Sequence, residues 1–253
     1  MLPELSAVAW LCLGLGAFLV GISKTAVPGF NTVPVALFAS ILPAKTSTGA
    51  LLILLMIGDI FALLAYRKHA HWPTLIRMVP AVLLGLIAGA IFLHFASDTG
   101  VRRGIGALLL ILTGVTLWQR YRAATPLTTE QESSSNRAIA TTFFGGLGGF
   151  TTMVANSGGP VMSMYFLAVR FPVQTFLGTA AWFFAVMNIA KLPFSIGLGI
   201  VDFSTLSLDA VLVPAVLAGA WCGWRFAAYM SQQFFDRAVI AMTTLGALWL
   251  IVG

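Results

Sequence analysis

Charge is what this sequence has least of. Lys, Arg, Asp and Glu together make up 9% of its residues, against roughly a quarter to a third of the positions on a soluble surface. With 59% hydrophobic residues and a mean hydropathy of +0.95, the chain cannot cover itself with polar side chains, and a soluble globular protein is excluded. Cysteine is nearly absent. Cys12 and Cys222 both sit in apolar stretches, where a lone cysteine behaves as a small hydrophobe, so neither a disulfide nor a metal site is expected. Histidine stops at His94, so a serine nucleophile at Ser157 has no histidine base in its own half of the chain. No His-Glu-x-x-His, no clustered Cys/His set and no Gly-x-x-x-x-Gly-Lys-Ser/Thr occurs. These absences disfavour catalysis, and the expectation is a protein without metal or cofactor.

Long apolar runs fill the space left. The stretches 5–22, 46–66, 78–95 and 173–190 approach or reach the roughly 20 residues needed to cross the hydrocarbon core. The stretches 104–118, 138–155, 210–224 and 238–252 read as further spans, and 32–42 and 160–169 are too short for a crossing. The expected fold is an all-α polytopic membrane protein with about eight full transmembrane helices. Broken or re-entrant half-helices fall at 24–42 and 156–169, a kind of segment tolerated only where protein or a water-filled cavity buries its ends. The stretch 5–22 lacks the basic flank and small-residue site of a cleaved signal and is expected to be a retained span.

The net charge of +6 has no soluble module to cluster on, so nucleic acid is not an expected partner. The basic residues read instead as topology. Arg67, Lys68 and Arg77 flank one loop, Arg120, Arg122 and Arg137 the central segment, and Arg170 and Arg225 later ends, which places all of these on the cytoplasmic side. Lys45, Arg102, Arg103 and Arg237 then fall outside with Asp98, Asp202, Asp209 and Asp236. Residues 119–137, with Thr-Pro, paired Glu and triple Ser, read as a solvated cytoplasmic linker between a first membrane repeat, 1–118, and a second, 138–253.

The two halves carry one pattern twice. Pro43, Gly49 and Asp59 recur as Pro172, Gly178 and Asn188, each 129 positions later; Pro80, Gly85, Gly89 and Arg103 recur as Pro214, Gly219, Gly223 and Arg237, each 134 later. Five membrane segments per half, an odd number, turn the second copy upside down. Duplicated halves with Gly/Pro-interrupted segments at corresponding places point to a secondary transporter and to its binding site.

Ionisable residues inside a membrane are functional candidates by default, and three stand out. Lys24 lies in Gly21-Ile-Ser-Lys-Thr-Ala-Val-Pro-Gly29, where a helix meets a chain break; its ammonium, the Ser23 and Thr25 hydroxyls and amides near Gly29 would make an anion cradle. The alternative is a lysine that snorkels to the interface as an anchor. The second copy opens at Asn156-Ser157-Gly158-Gly159 and restarts with Pro160, which is acceptable at the first position of a helix. The glycines of 145–149 need no role beyond close helix packing. Asp59 lies well inside an apolar span, and its repeat partner is Asn188. A carboxylate there is either a proton carrier or one side of a hydrogen bond or ion pair with Lys24 or Lys191. Lys191 follows Asn188 by one helical turn and shares its face, and Pro193 is expected to end or kink that helix.

At these residues the chain resembles the sulfite exporter TauE/SafE family of membrane permeases. The likeness rests on Gly21-Ile-Ser-Lys-Thr-Ala-Val-Pro-Gly29, Gly58-Asp59, a Tyr-Arg basic loop ending in Trp72, Thr152-Met-Val-Ala-Asn-Ser-Gly-Gly-Pro160, Phe176-Leu-Gly-Thr179 and Asn188-x-x-Lys-x-Pro193. It implies transport of sulfite, sulfonate or sulfoacetate-like anions across a bacterial inner membrane, driven by protons. The substrate-binding candidates are therefore Ser23, Lys24, Thr25, Gly29, Asn156, Ser157, Gly158, Gly159, Asn188 and Lys191, with Asp59 for proton coupling. The implied partners are a small anion, the lipid bilayer and protons, and a homodimer is compatible with the sequence. A passive anion channel would call for a continuous polar path, whereas the sequence shows isolated polar breaks; a non-transporting scaffold subunit is the remaining alternative.

Overall fold

The computed structural model describes residues 5–97, 134–235, 237, 238 and 241. Those residues are helical throughout, joined by short turns. Helix α1 (Ala7–Thr25) begins where the Ser6 hydroxyl accepts the Ala9 amide at 3.2 Å, a side-chain N-cap. After a 3₁₀ turn at Pro28–Asn31 come α2 (Thr32–Ile41) and α3 (Ala44–Tyr66), then a 3₁₀ turn at Arg67–His69 and α4 (Trp72–Phe95). The second half repeats this order as α5 (Ser134–Ala155), α6 (Gly158–Ala168), α7 (Val173–Gly197) and α8 (Phe203–Ala227). At 1.5 Å per residue, α2 and α6 reach only about 15 to 17 Å, half of a bilayer core. The chain therefore breaks at both expected places.

Five helices among the described residues are long and apolar enough to cross a membrane: Ala7–Thr25, Lys45–His69, Trp72–Phe95, Val173–Gly197 and Thr205–Ala227. The expected spans 104–118 and 238–252 and the linker 119–137 lie outside the described residues, apart from 134–137, 238 and 241. Several boundaries differ from the sequence reading, three of them for a clear local reason. Helix α4 starts at Trp72 and not near 78, because Pro73 fits a first turn whose amides have no helical partner. Helix α8 starts at Phe203 because Asp202 and Thr205 form a reciprocal capping box, with Thr205 N donating to Asp202 Oδ1 at 2.8 Å. Asp209, expected in an outer loop, therefore lies in the second turn of α8 and is 1% exposed. Pro193 does not end α7, which runs on to Gly197. The helix stops instead at Gly199, whose φ of +65° lets its own amide and that of Ile200 fold back onto the carbonyls of Ile196 and Ser195, each at 2.9 Å.

The packing crosses between the halves. Helix α1 lies parallel to α8, and α4 parallel to α5. Gly21 sits directly on the Val216 carbonyl and Gly219 on that of Phe18; Gly149 sits on the Val82 carbonyl and Gly85 on that of Gly146. A Cβ at any of the four would overlap backbone, so small residues set these two helix separations, as in other membrane helix pairs. Between the two pairs, α3 and α7 run antiparallel. Gly49 of α3 abuts the Ile200 carbonyl just past α7, and Gly178 of α7 abuts the Tyr66–Ala70 turn just past α3. Pro43 and Pro172 both precede the first turns of these two helices, and Pro80 and Pro214 both lie inside α4 and α8.

Apolar side chains cover much of the surface, and polar and charged ones join the apolar core inside, the reverse of a soluble protein's distribution. Leu64, Leu84 and Phe95 point outward, whereas Lys24, Asp59, Asn188 and Lys191 are buried. This reversal is what a lipid solvent requires, because unpaired polar groups cost several kcal/mol each in hydrocarbon. It follows that Gly21→Val should abolish the α1–α8 contact and yield aggregated protein in detergent size-exclusion chromatography. Gly14→Ala, at a helical position whose added methyl meets nothing within 4 Å, should leave the thermal midpoint unchanged or slightly raised.

Candidate functional site

The two chain breaks meet at the middle of the bundle. In the first, α1 ends at Thr25 and the backbone passes through Val27 and the Pro28–Asn31 turn, so that Asn31 faces back toward Ser23; the Ser23 hydroxyl donates to Asn31 Oδ1 at 3.3 Å. In the second, α5 ends at Ala155 and Asn156 takes a left-handed conformation with φ +51°, which Asn adopts at smaller cost than most residues. Its surroundings over-determine that conformation. The Asn156 carbonyl accepts Asn31 Nδ2 at 2.7 Å, its own Nδ2 donates to the Thr48 carbonyl at 2.9 Å, and its Oδ1 accepts Lys191 Nζ at 2.6 Å. Helix α6 then restarts at Gly158, not at Pro160 as the sequence reading had it; the proline fits because it still lies in the first turn.

From Asn156 the network continues to the charges. Lys191 Nζ also donates to the Thr152 carbonyl at 2.8 Å and to Asn188 Oδ1 at 3.1 Å, which occupies its three donors with neutral oxygens. Asn188 Nδ2 donates to Asp59 Oδ2 at 2.6 Å, and Lys24 Nζ lies 2.6 Å from Asp59 Oδ1. The Lys24 ammonium also stands over the Phe184 ring, 4.7 Å from its centroid, a cation–π contact. The ion-pair alternative for Asp59 is thus realised with Lys24, while Lys191 reaches Asp59 only through Asn188. Lys24 is no snorkelling anchor: it is 8% exposed.

Ser23, Lys24, Asp59, Asn156, Gly159 and Asn188 line one small cavity. Its free volume of about 10 Å³ is about that taken by one water. The other predicted site residues lie off it. Lys191 stands behind Asn156 and Asn188. The Thr25 hydroxyl turns away to donate to the carbonyls of Gly21 and Ala220, at 3.1 and 3.0 Å, and so serves the α1–α8 seam. The Ser157 hydroxyl donates to the Ala155 carbonyl at 3.1 Å, Gly158 opens α6 without lining the space, and Gly29 belongs to the Pro28–Asn31 turn. Sequence reasoning missed Asn31, Thr152 and Phe184, which do line it. Asn31 was findable, being an amide inside the same Gly/Pro-interrupted stretch as Lys24. Phe184, an aromatic in an aromatic-rich span, carries no such signal.

Fold and centre together define a polytopic helical membrane protein whose polar groups converge where two interrupted helices meet. The chain belongs to the TauE/SafE family: the family described as sulfite exporter TauE/SafE matches residues 13–250. No curated protein and no solved structure matches. At the level of the family this is a membrane permease and not an enzyme.

A buried ion pair is sensitive to the loss of one partner and tolerant of losing both. Asp59→Ala should destabilise the protein by about 3 to 5 kcal/mol, because Lys24 is left buried without its counter-ion. Lys24→Met with Asp59→Ala should recover most of that loss, as read from thermal unfolding of the purified proteins in one detergent.

Proposed function

We propose that the protein is a secondary transporter of small sulfur-containing or organic oxyanions, such as sulfite, a sulfonate or sulfoacetate, in a bacterial inner membrane. The observation that carries this reading is the charge of the central network. Lys24 and Lys191 supply two ammoniums and Asp59 one carboxylate, so the fully ionised cluster holds one surplus positive charge in an apolar bundle. A monovalent anion cancels it with Asp59 ionised, and a divalent one does so with Asp59 protonated. Among the described residues, Asp59 and Phe184 are the contacts of the Lys24 ammonium, which leaves donors free for a ligand in the cavity it lines, with Asn31, Asn156 and Asn188 amides around it. Ser23 and Gly159 complete this shell, and Lys191, Thr25, Ser157, Gly29 and Gly158 act from behind it.

The same geometry supports proton coupling. An anion drawn to Lys24 competes with Asp59 for the ammonium, and a buried carboxylate deprived of its cation favours the neutral form. Asp59 then takes up a proton as the anion binds and gives it up as the pair re-forms.

The narrowness of the cavity supports a carrier over a channel, because an oxyanion fits only after the helices separate. The reciprocal placement of the two helix sets supports an inverted repeat of 1–118 and 138–253 about the 119–137 linker, and Asp59 and Asn188, its counterparts 129 positions apart, touch each other at the centre. Rocking one repeat against the other would then alternate access. With the Arg67–His69 turn, Arg170 and Arg225 inside, the cytoplasmic end carries a wider cavity of about 430 Å³, lined among others by Tyr66, His69, Gln174 and Trp224. The Tyr66 hydroxyl donates to the Thr25 carbonyl at 2.9 Å, which ties the wall of that cavity to the residue after Lys24.

The test is sulfite and sulfoacetate flux in proteoliposomes under an imposed pH gradient. Wild type and Gly14→Ala should show saturable, gradient-dependent flux. Lys24→Ala at matched incorporation should raise the half-saturation concentration on the order of 10- to 100-fold, the worth of one charged hydrogen bond. Flux that never saturates in wild type would replace the carrier by a channel.

A further inference from the structure

One buried carboxylate takes no part in the central network. Asp209, in the second turn of α8, is 1% exposed, and among the described residues neither of its oxygens has a hydrogen-bond partner. Buried polar groups in native proteins are hydrogen-bonded with few exceptions, and an ionised carboxylate in such a place would be the costliest exception of all. The fold does not ask for an acid here. With the 134-residue spacing that relates Pro214 to Pro80, the matching position of α4 is Leu75, also buried.

Its place in the bundle is informative. Asp209, Leu212 and Val216 form one buried stripe of α8, spaced to share a helix face. Val216 meets the Gly21 and Gly58 positions, beside Lys24, so Asp209 lies two turns, about 10 Å, from the Lys24–Asp59 pair. That displacement is toward the start of α8, the end opposite the basic turn. Among the described residues, the helices packed most closely against α8 are α1 and α3. Their titratable side chains are Cys12 and Lys24 on α1 and Lys45, Asp59 and Tyr66 on α3; α8 itself adds Cys222 and Arg225 at its far end, and Asp202 is committed to the helix cap. None of these bonds to Asp209.

We propose that Asp209 is a proton-binding site whose protonated form allows the outer half of the bundle to close. This rests on the carrier reading of the central site. A carboxylic acid can lie buried in the α1–α3–α8 seam, whereas the carboxylate must be hydrated. Separation of the seam admits water, and the proton passes between a carboxylate oxygen and the outer solution. A low outer pH therefore favours the closed outer half, and a rising outer pH favours opening. A single proton limits that dependence to about tenfold per pH unit. The gate is distinct from the coupling carboxylate: its proton comes from and returns to the outer side, whereas that of Asp59 travels with the anion.

Two measurements on the full chain test this. Infrared difference spectra of the purified protein at neutral pH should contain a carboxylic-acid carbonyl band that is missing in both Asp209→Asn and Asp209→Leu; spectra without such a loss would overturn the assignment. In proteoliposomes, sulfite–sulfite exchange by wild type should slow as outer pH falls at fixed inner pH, and Asp209→Asn, always uncharged, should lose at least half of that slope on a logarithmic scale while Asp209→Leu elutes as wild type does. An unchanged slope in Asp209→Asn would also overturn the gate. Absence of sulfite exchange in wild type would count against the carrier reading instead, and the infrared bands would still decide the protonation of Asp209.

Discussion

Lys24, Asp59 and Lys191 are buried together, and every element near them is arranged to make that tolerable. Two ammoniums and one carboxylate in an apolar bundle need oxygens within reach, and helices alone do not offer them, because regular helices keep their carbonyls to themselves. The breaks after Thr25 and Ala155 solve this. They free backbone carbonyls and bring in Asn31 and Asn156, which relay hydrogen bonds from one interrupted helix to the other. The half-helices α2 and α6 are short because they have to turn at this level, and the close glycine pairing of α1 with α8 and of α4 with α5 holds the two breaks at a fixed separation. Removing the charges would make the breaks pointless; removing the breaks would leave the charges without partners.

The general plan was readable from the sequence because lipid imposes a simple rule. Runs of apolar residues had to be helices, and Gly/Pro-rich polar interruptions within them had to be buried openings. Lys24, Asp59, Asn156 and Asn188 all line the cavity for that reason. Lengths and ends were harder to read. Hydropathy alone starts α4 and α8 late, because first turns carry polar capping residues such as Asp202 and Thr205 and tolerate proline. The directions of side chains were harder still. Thr25 and Ser157 sit in the right segments, yet the Ser157 hydroxyl spends its proton on the Ala155 carbonyl and that of Thr25 is shared between Gly21 and Ala220 across the α1–α8 seam. Lys191 shares a face with Asn188 as its spacing implied, but which of its possible partners it takes depends on α5, more than thirty residues away in the chain.

The two lysines also show how the proposed symmetry is bent to a purpose. Counted back by 129 positions, Lys191 of α7 corresponds to Ala62 of α3, whereas Lys24 comes from α1. They occupy non-equivalent helices, yet approach the touching pair Asp59 and Asn188 from its two sides. The exchange of a carboxylate for an amide between the counterparts is what leaves the cluster with unequal charge, since two carboxylates would have matched two ammoniums. On the proposed reading, the Asp59/Asn188 difference is what separates a neutral structural knot from a centre that would attract an anion.

The crossing of the helix pairs has a consequence for how the protein is made. Helices α1 and α4 leave the ribosome well before α5 and α8, and among the described residues Gly21, Gly85 and Gly89 pack on those later partners. The first half therefore enters the membrane with two flat, unfilled faces and with Lys24 and Asp59 already within its own reach, while Asn31 waits for Asn156. Assembly cannot finish half by half. Insertion of α8, late in synthesis, closes the α1 seam, so a chain cut short before it would leave that face open to lipid and to quality-control proteases.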